Sequence, residues 1–413
     1  MRSVRLAAGW VLPIENPPIA DGAVLIGSDG RILALGPDAH VPRPDGFPSY
    51  RFPDAAILPG LVNAHTHLEL TDLAGQVEEE DFPAWIRRLR EVKEQHRLEH
   101  YLAAAKRGVA ACWASGVTTV ADTGDRTVVM QALAECGGSG IVYQEVFGPH
   151  PDQAPASMEQ LRETVVSLRG FESDRVRLGI SPHAPYTVSG PLYRVVAEFA
   201  RAEGLPVAVH LAESLAETQL LGAAAGPFAE AWRRRGIPLP ALPGCSPVAW
   251  LAEHGVLNER TLCIHVVQVD SDDIARLKAA GVGVAHCPRS NRRHGHGEAP
   301  LARLLEAGVR VGVGTDSVVS VGSLDLLAEA RAARALAGLS WERALSLVTL
   351  EAARAIGLEQ HVGSLAPGKW GDVAIIRLRE TQHSPVEGVL TSAADQVMAT
   401  YVGGRRVFEE GIR

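Results

Sequence analysis

The feature that most constrains this chain is a repeated alternation of strand-like and helix-like segments between residues 57 and 360. Eight apolar runs read as buried parallel strands: AILPGLVNAH, GVTTVAD, GIVYQEVF, VRLGISPH, PVAVHLAE, TLCIHVVQ, GVGVAHCP and RVGVGTD. Stretches of helical periodicity, such as PLYRVVAEFARAEG and DDIARLKAAG, follow most of them. Eight parallel strands with intervening helices predict an α/β fold, a (β/α)8 TIM-like barrel. An open doubly wound sheet is the alternative, but no GxGxxG opens the first strand–helix unit.

The two ends of the chain differ from this middle and resemble each other. VLIG, the turn Ser28-Asp29-Gly30 and RILALG read as a hairpin. Near the C-terminus GSLAPGKWGDVAIIRL and VMATYVGGRRVFEEG read as two more hairpin-like units, the second turning at Gly403-Gly404. Residues 1–56 and 362–413 are therefore expected to meet as one small β-sandwich, with residues 57–361 as the barrel. The 413 residues suit a barrel of ~250 residues plus such an accessory unit, and 46% hydrophobic residues supply a large core. The opening MRSVRLAAGWVLPIE is interrupted by Pro13 and Glu15, and is read as a first strand rather than a signal peptide. No run reaches the ~18 apolar residues of a membrane helix. A net charge of -8 argues against a general nucleic-acid or membrane surface. Five scattered cysteines without a CxxC argue against a disulfide framework and a cysteine zinc site, and predict buried thiols in a cytoplasmic protein. Residues 226–247 read as a Pro-rich insertion after the fifth run, over the barrel mouth.

Polar residues at the C-terminal ends of barrel strands are where chemistry is expected. The first run ends in His65-Thr66-His67, and two strand residues two apart share a face, so both imidazoles are expected to enter the mouth. Two such imidazoles suit a borderline cation such as zinc; alone, such a pair is more often structural or exposed. The fifth run supplies His210 and Glu213, a nitrogen ligand and a carboxylate placed for proton transfer, or else a carboxylate stabilised at a helix N-terminus. The sixth supplies His265. The eighth ends at Asp316, which in isolation reads as a turn-former or helix cap. The ordered set on runs 1, 5, 6 and 8 requires those four bland readings to coincide.

The constellation resembles the amidohydrolase superfamily. The matching pieces are LPGLVNAHTHLEL (58–70), SPHAPYT (181–187), HLAES (210–214), His265, HCPRSN (286–291), GVGTDS (312–317) and GSLAPGKWGDVAII (363–376). The resemblance implies one divalent metal ion, zinc first, with iron or manganese compatible, held by His65, His67, His210 and Asp316. It implies Glu213, Asp316 and His265 as the catalytic groups. The fourth run has no lysine to bridge two metals, and Glu145 is a weak substitute, so a mononuclear site is expected.

Within the superfamily, NAHTHLEL, DFPAWIRRLR (81–90), SPHAPYTVS and Glu145 in YQEVFG look like the mononuclear branch that includes aminodeoxyfutalosine, S-adenosylhomocysteine and adenosine deaminases, aminodeoxyfutalosine deaminases of menaquinone biosynthesis above all. The implied partner is a small nucleoside-like molecule, not nucleic acid or membrane, and such barrels often pair as homodimers. The implied substrate contacts are Glu69, Trp85, His183 and Arg289. Glu69 reads equally as a strand-end carboxylate in a salt bridge, Trp85 with Phe82 as a helix contact, and Arg289 with Arg292 and Arg293 as a solvated basic loop. His294 and His296, in a glycine-rich stretch, are expected to be exposed, and His286 to support a strand end. Guanine, cytosine and triazine hydrolases of the same fold are the alternatives.

Overall fold

The computed structural model describes residues 3–240, 244–379, 384–392 and 394–411. Four strands come first: β1 (Val4–Val11), β2 (Ile19–Ile26), β3 (Ile32–Pro37) and β4 (Ser49–Pro59). Eight follow with helices between them: β5 (Leu61–Thr66), β6 (Val117–Gly124), β7 (Gly140–Val146), β8 (Val176–Pro182), β9 (Val207–Leu211), β10 (Thr261–His265), β11 (Gly283–His286) and β12 (Arg310–Val313). The last three are β13 (Val373–Arg377), β14 (Val397–Val402) and β15 (Arg405–Glu409).

Each of the eight apolar runs contributes one strand of an eight-stranded parallel sheet in chain order, β5 to β12. On β10, Leu262 and Ile264 join a buried cluster with Val62, Ala121, Ile141 and Ala208 from other barrel strands, while Cys263 joins the larger cluster. This is the period-2 alternation of a strand covered on both faces. The sheet closes where β12 returns to β5, through a single bridge between Thr66 and Asp316. Lower in the seam the residues before helix Leu350–Ala355 take over: Val62 N–H donates to Val348 O and Val313 N–H to Leu347 O, both at 2.9 Å. Between these levels Asn63 stitches the seam, its Nδ2 donating to Thr315 Oγ1 (2.8 Å) while its Oδ1 accepts Thr315 N–H (3.0 Å).

The chain ends meet in one mixed seven-stranded sheet, ordered β15-β14-β13-β4-β1-β2-β3. Its C-terminal strand β13 pairs antiparallel with β4, and β4 parallel with β1. The run AILPGLVNAH is thus divided. Residues to Pro59 belong to this sheet and residues from Leu61 to the barrel. The break falls at Gly60, where any Cβ would collide with the Thr118 side chain. The hairpin expected in GSLAPGKWGDVAIIRL is corrected: only β13 is a strand. Pro367 lacks an N–H and Gly368 lies at φ 89°, which turns the chain before any strand can form.

Helix Gly226–Arg234 occupies the start of the predicted insertion, whose residues 241–243 lie outside the described residues. Cys112, Cys263 and Cys287 are buried, whereas Cys136 and Cys245 are partly exposed. No helix among the described residues is long and apolar enough to cross a membrane.

Candidate metal centre and proton-handling residues

The C-terminal ends of β5, β9, β10 and β12 converge. β5 stops at Thr66, so His67 is no longer a strand residue; it opens the 3-10 turn Leu68–Leu73, and the two imidazoles meet edge to face at 4.7 Å. His210 on β9 lies 5.0 Å from the His65 ring and stacks on His67 at 5.5 Å. Asp316, three residues beyond β12, brings Oδ1 to 3.6 Å from His65 Nε2 and 3.4 Å from His67 Nε2. The backbone bends sharply to do this. Asp316 (φ 61°), His265 (φ 72°), Val266 (φ 52°) and Ala212 (φ 50°) are all left-handed non-glycine residues at the mouth. Such residues cost of order 1–3 kcal/mol each and persist where the surroundings over-determine them. Around Asp316 those surroundings are its own N–H donating to His65 O (3.0 Å), Ser290 Oγ donating to Oδ2 (2.5 Å) and Ser317 N–H donating to Oδ1 (2.7 Å).

These residues fit a cation. Both ring nitrogens of His65 are buried without a hydrogen-bond partner, a costly arrangement unless a ligand fills it. His210 Nδ1 faces His183 O at 3.2 Å and His67 Nδ1 faces Thr123 Oγ1 at 3.3 Å, which leaves each Nε2 for the cluster. The ligand atoms of His65, His67 and Asp316 lie within 4.8 Å of one another, as do those of His65, His210 and His265. Burial lowers His65, pushes His67 down to about 3 and lowers His210 well below its ordinary range, so the rings are neutral. Burial alone would raise Asp316, but the neighbouring imidazoles hold it well below the usual carboxylate range. Neutral imidazoles with one carboxylate suit zinc, iron and manganese alike. A second grouping, Glu145, His183 and His210, shares one ligand with the first. Burial raises Glu145 to about 8, so it keeps its proton at neutral pH and is the poorer cation ligand.

Beside the cluster stands Glu213. Its backbone is fixed from behind: the buried Glu217 carboxylate accepts Ala212 N–H (2.8 Å) and Glu213 N–H (3.0 Å), while Ser214 Oγ accepts Glu217 N–H (3.3 Å). The Glu213 carboxylate faces His265 Nε2 at 3.4 Å and His296 Nε2 at 3.2 Å through Oε1, and Oε2 accepts Tyr186 Oη–H (3.4 Å). Burial works to raise Glu213, yet His265 and His296 outweigh it and bring it to about 2. His265 is oriented in turn by Asn291, Nδ1 to Oδ1 2.9 Å, and His286 Nδ1 faces the His265 carbonyl at 3.3 Å.

The expected substrate contacts are distributed unevenly. His183 lies against the cluster, its ring 4.7 Å from His210 and its Nδ1 2.8 Å from Thr187 Oγ1. Trp85 is buried and part of an aromatic wall with Phe82 (6.1 Å) and His294 (4.6 Å). Glu69 takes the ion-pair alternative: it faces Lys93 Nζ at 3.4 Å, accepts Asp125 and Arg126 N–H groups, and is raised by burial to about 7. Arg289 is partly exposed and is tied down, its backbone N–H and guanidinium both engaging Glu329 (3.0 and 3.5 Å). The expectation that His294 and His296 are exposed is overturned: both are buried. Helix Pro288–Arg293 folds the segment back so that Phe82 packs edge-on against His296 at 4.4 Å. Glu217, Tyr186, Ser290 and Asn291 also went unassigned. The Ser214-x-x-Glu217 spacing is a capping-box signal that could have found Glu217.

Residues 56–407 match the model of the Amidohydrolase family. The chain is 31% identical over 419 residues to a 5-methylthioadenosine/S-adenosylhomocysteine deaminase of Moorella thermoacetica, covering 97% of this chain and 93% of that protein. It is 37% identical over 297 residues to an aminodeoxyfutalosine deaminase of Deinococcus radiodurans, covering 68% of each. The solved structure of an adenosine deaminase from Xanthomonas campestris, with bound zinc, has a TM-score of 0.85 and 26% identity, covering 99% of this chain and 93% of that one.

Proposed function

From the premise that this chain belongs to the amidohydrolase family and is a hydrolase acting on C–N bonds, we propose that it deaminates a 6-aminopurine nucleoside, aminodeoxyfutalosine by preference, using one divalent cation held by His65, His67, His210 and Asp316. The observation that carries this reading is the buried convergence of three imidazoles on Asp316, with Glu213 and His265 beside them. When bound, the cation lowers the pKa of water from ~16 towards ~7 and supplies a nucleophile at neutral pH. Asp316, ionised and fixed by Ser290 and Ser317, accepts a proton from the attacking water. Glu213, held ionised by its two imidazoles, first takes the other proton of the attacking water and then passes it to the ring nitrogen next to the reacting carbon, while the proton on Asp316 goes to the departing amine. His265, oriented by Asn291, donates to the charge that develops at that carbon's new oxygen. Water's oxygen replaces the exocyclic amine, and its two protons end on the ring nitrogen and on the departing ammonia. The wall of Phe82 and Trp85 suits the flat base.

The preference for aminodeoxyfutalosine is supported by the 37% identity to the Deinococcus enzyme and by NAHTHLEL and YQEVFG. It would place the chain in menaquinone biosynthesis. Arg289 would have to leave Glu329 to meet that substrate's carboxylate. The near-complete alignment with the methylthioadenosine/S-adenosylhomocysteine deaminase supports a second reading, in which those nucleosides are the substrates. Ammonia release from aminodeoxyfutalosine, 5′-methylthioadenosine, S-adenosylhomocysteine, adenosine, guanine and cytosine decides between them. The expected kcat/KM for aminodeoxyfutalosine is at least about tenfold above the rest. In the same assay Glu213→Gln is expected to retain its cation and fall to about a hundredth of wild-type turnover or less. No ammonia from any adenine nucleoside would sink the reading.

A further inference from the structure

The segment that follows β11 touches each predicted proton-handling group in turn. Ser290 Oγ donates to Asp316 Oδ2, Asn291 Oδ1 faces His265 Nδ1, and His296 Nε2 lies 3.2 Å from Glu213 Oε1. The first two belong to the HCPRSN motif, whereas His296 stands outside every motif that marks the site. Its placement is nevertheless built. Gly295 (φ 64°) and Gly297 (φ 95°) flank it in left-handed conformations that let the chain reverse. His296 N–H donates to Asn291 O (2.9 Å) and Gln268 Nε2 donates to His296 O (2.6 Å). Phe82 packs against the ring at 4.4 Å and the side chain is only 3% exposed.

We propose that His296 is a positioning residue for Glu213. His296 Nε2 backs Oε1 beside His265 while Oε2 accepts from Tyr186, so that Oε1 stays aimed at the reacting ring. Apart from His296, Oε1 faces only His265 among the described residues, at the longer distance of 3.4 Å. Without His296 the carboxylate keeps only the two long contacts of 3.4 Å to His265 and Tyr186, and the second imidazole narrows the rotamers it samples. This inference rests on the deaminase reading for its kinetic arm and on geometry alone for its structural arm.

The test uses metal-loaded wild-type, His296→Ala and His296→Gln proteins. On whichever adenine nucleoside the wild type turns over, His296→Ala is expected to lower kcat about ten- to a hundredfold, as loss of an orienting contact does. KM should stay within about threefold of wild type and cation content should be unchanged. His296→Gln, which keeps an N–H donor, is expected to recover most of the loss. Unchanged kcat, or a loss confined to KM, would overturn the proposal. Should the wild type deaminate none of these nucleosides, the functional reading fails and the crystal structure of His296→Ala decides this one. A Glu213 carboxylate in several rotamers or with Oε1 turned away from His265 supports it, and one still fixed at His265 refutes it. If the alanine variant does not fold, the same two readouts on His296→Gln and His296→Phe decide, with only the former expected to keep the wild-type rotamer.

Discussion

Glu217 accepts two backbone N–H groups, yet burial and the charge of Glu213 raise it to about 8. Full desolvation outweighs both hydrogen bonds, so at neutral pH this clamp on the Glu213 backbone is largely protonated. The consequence for stability has a definite sign. Below about 4.5, its ordinary value, folded and unfolded chains both hold the proton and the group's contribution is fully present. Between about 4.5 and about 8 the unfolded chain releases it while the folded chain keeps it, so the contribution declines as pH rises. Glu217→Gln keeps an acceptor but cannot titrate. Its Tm relative to wild type is therefore expected to improve steadily from about pH 5 to about pH 8, followed by calorimetry of both proteins. Parallel Tm curves would show that Glu217 is ionised throughout. His296 is the other residue whose meaning depends on depth. Between glycines it has the sequence signature of an exposed loop, and it is the reversal of the chain, tied to Asn291 and Gln268 and packed under Phe82, that buries the ring against Glu213.

At the level of elements, the eight barrel strands were legible because continuous apolar runs are a local signal. The places where strands stop were less so. The run across Gly60 reads as one strand because nothing in its composition says that its halves pair with different sheets. The barrel seam is likewise invisible in sequence: β12 and β5 share one bridge, and the Asn63–Thr315 pair does much of the joining. Asn63→Ala removes three hydrogen bonds, among them those that its Oδ1 accepts from the Thr315 and His65 N–H groups, and strands the buried Thr315 N–H, an expected cost of about 2–4 kcal/mol. Because His65 and Asp316 flank the seam, cation affinity should fall with it. Denaturant unfolding and metal titration of the variant check both effects, and a variant with wild-type stability and affinity would show that the bridge and the 347–348 segment suffice.

For the whole molecule, the cation cluster joins the first and last barrel strands, so the ion is expected to stabilise the closed barrel as well as supply chemistry. Stripping metal with a chelator should lower Tm, and adding zinc, manganese or iron(II) should restore it. The linkage is worth about 4 kcal/mol at a thousandfold excess over Kd. A Tm indifferent to chelator and metal would mean that the imidazoles do not bind one. The sequence alone determined which stretches become barrel strands, that the chain ends are β-rich, and that His65, His67, His210, His265 and Asp316 fall at strand ends, since apolar runs and residue order are properties of the local chain. Only the tertiary structure decided that Glu69 and Arg289 meet Lys93 and Glu329, that His296 turns inward, and that Asp316 completes the barrel. Burial and ion pairing are set by partners tens to hundreds of residues away, and no local pattern specifies which of several possible partners a charged or aromatic side chain will meet.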